Sequence, residues 1–221
     1  MNIKNIPSFS VSEIKGRIGV YGFAKSYISN GVNDNILPPY FFRGEINDLA
    51  LANEKLNVSM KSKILSEEME LIWLIDTDKG EKCRFSGFMF GNDLTDLGEF
   101  RLDSARILHA KLPQASISEN YWLSSQPPSS FDITVTRYRS NNVKNYTSSI
   151  GMNYLSIPLD MALKAVSNMV GWKHFDKILL FTGAPRGFAW KDDPALHNDR
   201  FELFVEGIGS VLNNKIHYSD E

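Results

Sequence analysis

The sequence has a single cysteine, no long basic cluster and no long apolar run. One thiol, Cys83, in a chain of 221 residues excludes an intramolecular disulfide and a cysteine-based zinc site. With a net charge of −2 and no basic cluster, binding to nucleic acid is not expected. No apolar run approaches the roughly 18 residues of a membrane span, and the N-terminal segment lacks the apolar core of a signal peptide. We therefore expect a cytoplasmic protein without a membrane or nucleic-acid partner.

The residues that are present predict mostly β-strands. Hydrophobic residues make up 43% of the chain and charged residues 23%, which excludes a disordered chain. Runs rich in β-branched and aromatic residues predict strands at GRIGVYGFA, ELIWLI, KCRFSGFMFG, FDITVTRYRS, KILLFTG and RFELFVEGIGSVLNNKIHY. Helical spacing is clearest in IPLDMALKAVSNMVGW, where Gly171 marks the stop. The sequence predicts one β-rich α+β domain with few helices.

Two glutamates stand at the entrance of the apolar strand ELIWLI. Glu68 and Glu70 would share one strand face, where two carboxylates repel each other and lose hydration. Asp93 follows the next strand and would lie opposite Glu68 if the connecting loop is long, whereas a tight hairpin would put residues 87–89 there. Three converging carboxylates suit Mg²⁺, Mn²⁺ or Ca²⁺ better than zinc. The alternative is a solvated, acidic strand entrance.

Three further residues are candidates for binding a substrate. Thr182 and Gly183 end the strand KILLF, where a glycine lets a backbone N–H approach a ligand and a threonine hydroxyl can bond a carboxylate. A simple strand-terminating turn explains this pair equally well. Lys111 is a lone cation among apolar residues. It either binds a substrate carboxylate or enolate, or extends along the surface into solvent.

Taken in order, these segments resemble the fumarylacetoacetate hydrolase superfamily. The central signature of that family, Glu-x-Glu-Leu and then Gly-[Tyr/Phe]-x-x-x-Asn-Asp, is matched by EMEL and GFMFGND. Its C-terminal signature, Thr-Gly-Thr-Pro-x-Gly and then Glu-Gly-x-Gly with a following Asn, is matched by TGAPRG and EGIGSVLN. Pro38, Phe41 and Arg43 match its Pro-x-x-Phe-x-Lys, and Lys111 matches a lysine beyond the Asn-Asp pair.

The resemblance implies an N-terminal extension over residues 1–15 and a catalytic domain over residues 16–221. It implies the mixed β-sheet roll of the C-terminal domain of that family, with a few peripheral helices, and usually a homodimer. It also implies one divalent ion, Mg²⁺ or else Mn²⁺ or Ca²⁺, on Glu68, Glu70 and Asp93. The helix that is customary between the second and third of these acids is expected to be absent, because the segment is short.

The resemblance further implies a chemistry. Family members act on 2-oxo acids and β-dicarbonyl compounds by C–C cleavage, decarboxylation, hydration or dehydration, with a metal-stabilised enolate as the shared step. Lys111 and Thr182 would bind the carboxylate or carbonyl oxygens of the substrate, with Arg43 and Gly183 as further substrate-binding residues.

The chain departs from the family at the residues that activate water. Ile28 and Gly31 occupy the positions of a His–Glu pair, and Tyr27 is a better proton donor than its neighbour Lys25. The segment LTDLGEFR is closer to the sugar-acid branch, which dehydrates 2-keto-3-deoxy acids. We therefore predict a metal-dependent lyase, with Lys111 and Tyr27 as catalytic residues. The alternatives are an acylpyruvate-type C–C hydrolase with a replaced base, and a non-catalytic protein that binds a metal or a small acid.

Overall fold

Mixed β-sheets form most of the molecule. The computed structural model describes residues 6–24, 26–27, 40–78 and 82–219, without the side chain of Ser104. Four positions that entered the sequence comparison lie outside these residues, namely Lys25, Ile28, Gly31 and Pro38. Strands far outnumber helices in the described part, so the predicted β-rich α+β class is confirmed.

Most of the regular elements are short, and the longest are five strands of nine to eleven residues. In chain order the strands are β1 (Ser8–Ser10), β2 (Ile18–Phe23), β3 (Tyr40–Glu45), β4 (Ala50–Leu51), β5 (Lys55–Ser59), β6 (Leu65–Ser66), β7 (Met69–Asp78), β8 (Lys82–Asn92), β9 (Thr95–Asp96), β10 (Ser116–Ile117), β11 (Asn120–Leu123), β12 (Phe131–Arg139), β13 (Asn142–Ile150), β14 (Lys177–Phe181), β15 (Arg200–Val205) and β16 (Gly209–Ser219). The α-helices are α1 (Leu97–Leu102), α2 (Ile107–Ala110) and α3 (Leu159–Val166). Short 3₁₀ helices cover Val11–Glu13, Ile46–Asp48, Ser104–Arg106, Met152–Tyr154, Trp172–His174 and Phe188–Lys191.

The strands form two large sheets. The first has nine strands, of which seven pair in the order β1-β11-β8-β7-β14-β2-β3, while β10 pairs with β8 and β4. The second has five strands in the order β13-β12-β15-β16-β5. The main hydrophobic cluster joins side chains of both sheets and of α3. The region that the resemblance treats as an extension contributes β1 to the first sheet, and its boundary at residue 15 stays a prediction.

Strand β7 is buried on both faces. Leu71 and Trp73 belong to the main cluster, whereas Ile72 and Leu74 belong to a second cluster on the other face of the sheet. A strand that is covered on both faces has a continuous apolar run instead of alternation, which explains the segment ELIWLI.

One edge of the nine-stranded sheet brings several strand ends together. β7 is antiparallel to both β8 and β14, and β14 is parallel to β2. The start of β7 therefore lies beside the ends of the three other strands. This arrangement places Glu68 and Glu70 next to Asp93, and the pair Thr182–Gly183 beside them.

The expected length of the loop between β7 and β8 and the expected length of one helix both need correction. We expected Asp93 to reach Glu68 only across a long loop, but β7 and β8 extend to Asp78 and Lys82, and their register still pairs Met69 with Asn92. The long strands, rather than a long loop, account for the separation of Glu68 and Asp93 in the sequence.

The predicted helix in the segment IPLDMALKAVSNMVGW is also shorter than expected, because α3 ends at Val166 and turns follow before residue 171. Within the described residues, no helix is long and apolar enough to cross a bilayer.

Candidate metal centre

Three carboxylates meet at the edge of the sheet. Glu68, Glu70 and Asp93 each offer a carboxylate oxygen, and these atoms lie within 4.8 Å of one another. Glu70 and Asp93 are at most 1% exposed. The alternative of a solvated strand entrance is therefore wrong for these two residues. Burial and the neighbouring Asp93 raise the pKa of Glu70 well above its usual value.

Backbone and amide contacts hold the three acids in place. The N–H of Asp93 donates to the carbonyl of Glu68 at 2.9 Å, and the N–H of Glu68 donates to the side-chain oxygen of Asn92 at 3.0 Å. The N–H of Gly183 donates to the carboxylate of Glu70 at 2.6 Å. Gly183 has a φ of +107°, a conformation that L residues avoid. Its backbone N–H binds the side chain of Glu70, and the predicted contact of Gly183 with substrate stays a prediction.

Lys111 lies inside the acidic cluster. Its ammonium nitrogen is 2.8 Å from Glu68 Oε2 and 2.7 Å from Thr95 Oγ1, and it also contacts Asp93. The side chain is only 7% exposed, so the alternative that it extends into solvent is wrong. Burial lowers the pKa of Lys111, but the surrounding carboxylates outweigh burial and the net shift is upward.

Arg43 lies behind the cluster and binds the protein itself. Its Nε is 3.1 Å from Asp93 Oδ1, although the two groups are not aligned as a hydrogen bond. Its two terminal nitrogens donate to the carbonyls of Lys111 at 2.7 Å and of Pro113 at 2.6 Å. The guanidinium is 4% exposed. These contacts are those of a residue that positions Asp93 and Lys111, and the predicted contact of Arg43 with substrate stays a prediction.

The donor set fits a hard divalent cation. All three candidate ligands are carboxylates, the ligand type that Mg²⁺, Mn²⁺ and Ca²⁺ prefer. Asp93 Oδ1 is buried and accepts no aligned hydrogen bond from the described residues. Three acids against the two cations Lys111 and Arg43 leave one net negative charge, so the cluster attracts a cation.

Thr182 and Tyr27 direct their hydroxyl groups toward the protein backbone. The Thr182 hydroxyl donates to the carbonyl of Leu71 at 2.6 Å. The Tyr27 hydroxyl donates to the carbonyl of Ser149. Neither Thr182 nor Tyr27 is among the described residues that line the cavity over the three carboxylates. Burial raises the pKa of Tyr27, which makes this hydroxyl a poorer acid. A substrate contact of Thr182 and proton transfer by Tyr27 stay predictions, and these contacts do not support them.

A cavity of about 140 Å³ lies over the carboxylates. Glu68, Glu70 and Lys111 form its floor, and apolar side chains line much of its wall. The helical segment from Leu97 to Ile107 forms part of that wall. Pairing of β9 with β6 holds the start of this segment over the sheet edge.

Two features of the site were not predicted from the sequence. Arg186 and Trp190 line the mouth of the cavity, and the only signal for Arg186 is its variable position within TGAPRG. Glu67 is fully buried behind the cluster and accepts a hydrogen bond from the N–H of Phe188 at 2.7 Å. Burial raises the pKa of Glu67 to about 7, against the opposing effects of the Phe188 N–H and of the Arg137 charge.

Solved structures share this fold. 2-Keto-3-deoxy-D-arabinonate dehydratase in its apo form matches 92% of this chain and 74% of its own, with 19% identity and a TM-score of 0.74. The same enzyme complexed with magnesium and 2,5-dioxopentanoate matches with 20% identity and a TM-score of 0.74, over 92% of this chain and 74% of its own. 5-Carboxymethyl-2-hydroxymuconate delta-isomerase from Mycobacterium smegmatis matches 92% of this chain and 80% of its own, with 18% identity and a TM-score of 0.64.

These structures are members of the fumarylacetoacetate hydrolase superfamily, so the predicted fold is confirmed. No protein-family model and no curated protein sequence matches the chain. At 18–20% identity the likeness establishes the fold, and the chemistry is inferred from the site.

Proposed function

We propose that this protein is a Mg²⁺-dependent enzyme that converts a 2-oxo acid or β-dicarbonyl compound through an enolate, by a lyase reaction. The observation that carries the proposal is the cluster of Glu68, Glu70 and Asp93 with Lys111 on the floor of a cavity. One of the solved structures with this fold is a complex with magnesium and 2,5-dioxopentanoate, an oxo-acid ligand. That complex supports both the metal and the class of substrate.

The three carboxylates would hold the ion, with Gly183 N–H fixing the orientation of Glu70. A divalent cation bound there supplies Lewis-acid stabilisation of the negative charge that develops on the substrate oxygens. Lys111 contributes a second positive charge, with Thr95 and Glu68 fixing its position. A positioned charge of this kind stabilises an enolate without reorganisation during the reaction.

A lyase step is favoured over hydrolysis by the residues around the cavity. In the part of the chain that the structure describes, no histidine lines the cavity. The sequence also has Ile28 and Gly31 where hydrolases and decarboxylases of the superfamily usually carry their His–Glu pair. Dehydration, decarboxylation and retro-aldol cleavage need an enolate stabiliser but no activated attacking water. An acylpyruvate-type hydrolase with a replaced base, and a non-catalytic binder, are the competing functions.

The proposal is tested first by binding. Titration calorimetry with oxalate, which imitates an enolate, should show binding that requires Mg²⁺ in the wild type and is lost in Glu70→Gln. A screen of 2-keto-3-deoxy acids, oxaloacetate and acylpyruvates then identifies the reaction. Binding of oxalate without turnover of any of these compounds would favour the non-catalytic alternative, and turnover of acylpyruvates alone would favour the hydrolase. If oxalate does not bind with Mg²⁺ present, the proposal is wrong.

A homodimer and a cytoplasmic location, both expected from the sequence, remain part of the proposal. Size-exclusion chromatography with light scattering tests the dimer, since a mass near 50 kDa, twice the 25.0 kDa of one chain, is expected.

A further inference from the structure

Arg186 is an exposed cation at the mouth of the cavity. It lines the same cavity as Glu68, Glu70 and Lys111, and it is exposed on the segment after β14. Among the described residues no carboxylate forms an ion pair with it. Its guanidinium carbon lies 5.0 Å from the centre of the Trp190 ring. Its donors are therefore available to a ligand at the mouth.

Trp190 holds Arg186 in position without neutralising it. The indole contacts two guanidinium groups, because the guanidinium carbon of Arg101, on α1, lies 5.5 Å from the centre of the same ring. An aromatic ring orients a guanidinium by cation–π attraction and leaves its N–H groups free. The N–H of Phe188, at the start of the same 3₁₀ helix, is anchored by the buried Glu67 at 2.7 Å. Arg186 thus has a fixed support, unlike an ordinary surface arginine.

The charges of the site leave a place for a second anion. The three acids, Lys111 and Arg43 together carry one net negative charge, and a divalent cation changes this to one net positive charge. The carboxylate of a 2-oxo acid neutralises that charge. A second carboxylate has no counter-charge on the floor, and Arg186 supplies one at the mouth.

The dimensions of the cavity agree with a short substrate. Its volume of about 140 Å³ is close to that of engineered cavities that accept a six-carbon ring. A chelating head on the floor, a few carbons along the apolar wall and an anionic tail at the mouth would fill it.

We propose that Arg186 binds the second carboxylate of the substrate, so that the site selects 2-oxo dicarboxylates over 2-oxo monocarboxylates of equal length. This inference rests on the proposed function, because the other end of the substrate is bound at the metal centre. The planar guanidinium matches a carboxylate with two parallel N–H···O bonds.

The test compares two five-carbon ligands, 2-oxoglutarate and 2-oxopentanoate, by titration calorimetry with Mg²⁺, and uses oxalate as the reference for the floor. The wild type should bind 2-oxoglutarate about tenfold or more tightly than 2-oxopentanoate. Arg186→Gln should remove this preference and leave the affinity for oxalate unchanged. Arg101→Gln is the matched control, because it removes a second cation that contacts Trp190 but does not line the cavity.

The outcomes separate this inference from the function on which it rests. Oxalate binding with no preference between the two five-carbon acids overturns the inference alone. A preference that survives Arg186→Gln, or that is lost equally in Arg101→Gln, also overturns it. Absence of Mg²⁺-dependent oxalate binding overturns the proposed function and this inference together. Thermal unfolding of both variants, each altered at an exposed side chain, checks that they fold.

Discussion

The ammonium nitrogen of Lys111 lies 2.8 Å from Glu68 Oε2, inside the carboxylate cluster that is the candidate metal centre. The two residues are 43 positions apart in the sequence. We therefore expect Lys111 to affect metal affinity, stability and substrate binding together, and the predictions below separate these effects.

Lys111→Met should tighten Mg²⁺ binding, since it removes a cation that competes for Glu68 and Asp93. The same variant should destabilise the metal-free protein by about 3 kcal/mol, because it leaves buried carboxylates without their partner. Mg²⁺ should restore most of the stability that the variant loses. Calorimetric titration and urea unfolding with and without Mg²⁺ measure the two effects. Weaker Mg²⁺ binding in Lys111→Met would show that the lysine supports the ion rather than competing with it.

Glu70→Gln should not destabilise the metal-free protein, in contrast to Lys111→Met. It removes a buried charge that Asp93 repels, so the metal-free variant should unfold at the same or a higher temperature than the wild type. Its response to Mg²⁺ should disappear, and turnover should fall by about 100-fold or more. Differential scanning calorimetry with EDTA or Mg²⁺ is the measurement. An unchanged stabilisation by Mg²⁺ would exclude Glu70 as a ligand.

Arg43→Lys distinguishes positioning from substrate binding. A lysine cannot reach Asp93 and the carbonyls of Lys111 and Pro113 at the same time, so we expect a loss of about 2 kcal/mol of stability and weaker Mg²⁺ binding. If Arg43 instead contacts substrate, the variant would raise KM while its urea midpoint stayed at the wild-type value.

Tyr27→Phe tests the proton donor that the sequence predicts. The hydroxyl of Tyr27 donates to the carbonyl of Ser149, so its removal should cost about 1 kcal/mol of stability and leave kcat within about twofold of the wild type. A fall in kcat of about 100-fold or more, with a changed pH profile, would show that Tyr27 transfers a proton.

The contacts of Asp193 predict that the stability of the protein decreases at acidic pH. The hydrogen bond from Arg137, at 2.6 Å, and that from Lys144, at 2.7 Å, hold the pKa of Asp193 below its usual range. A carboxylate with a depressed pKa in the folded state stabilises at pH above its unfolded value, about 3.9, and loses that contribution as the pH falls toward its folded value.

The difference in stability between the wild type and Asp193→Asn should therefore be largest at pH 7 and shrink below pH of about 4. Urea unfolding at pH 7, 5 and 3 measures it. Asp192→Asn is the matched control, because Asp192 is exposed and its φ of 58° suits asparagine. A difference for Asp193→Asn that does not change with pH would contradict the role of its charge.

The local sequence was sufficient for the elements that depend on local pattern. The apolar runs of β7, β8 and β14 identify buried strands because each run has the length and composition of a strand. The spacing of Glu68 and Glu70 is a property of the strand itself. The partnership of these residues with Asp93 follows from the pairing of neighbouring strands.

What only the tertiary structure decided depends on contacts between distant segments. The side chain of Lys111 reaches Asp93 because β9 pairs with β6 and the helical segment after it folds over the sheet edge, whereas Arg43 reaches Asp93 from β3. From its neighbours in the sequence alone, an exposed position was favoured for Lys111. Arg186 lines the same cavity as Glu68 and Lys111, although both residues lie far from it in the sequence. Strand identity is encoded in short-range periodicity, whereas burial, charge pairing and the cavity arise only when segments far apart in the chain pack together.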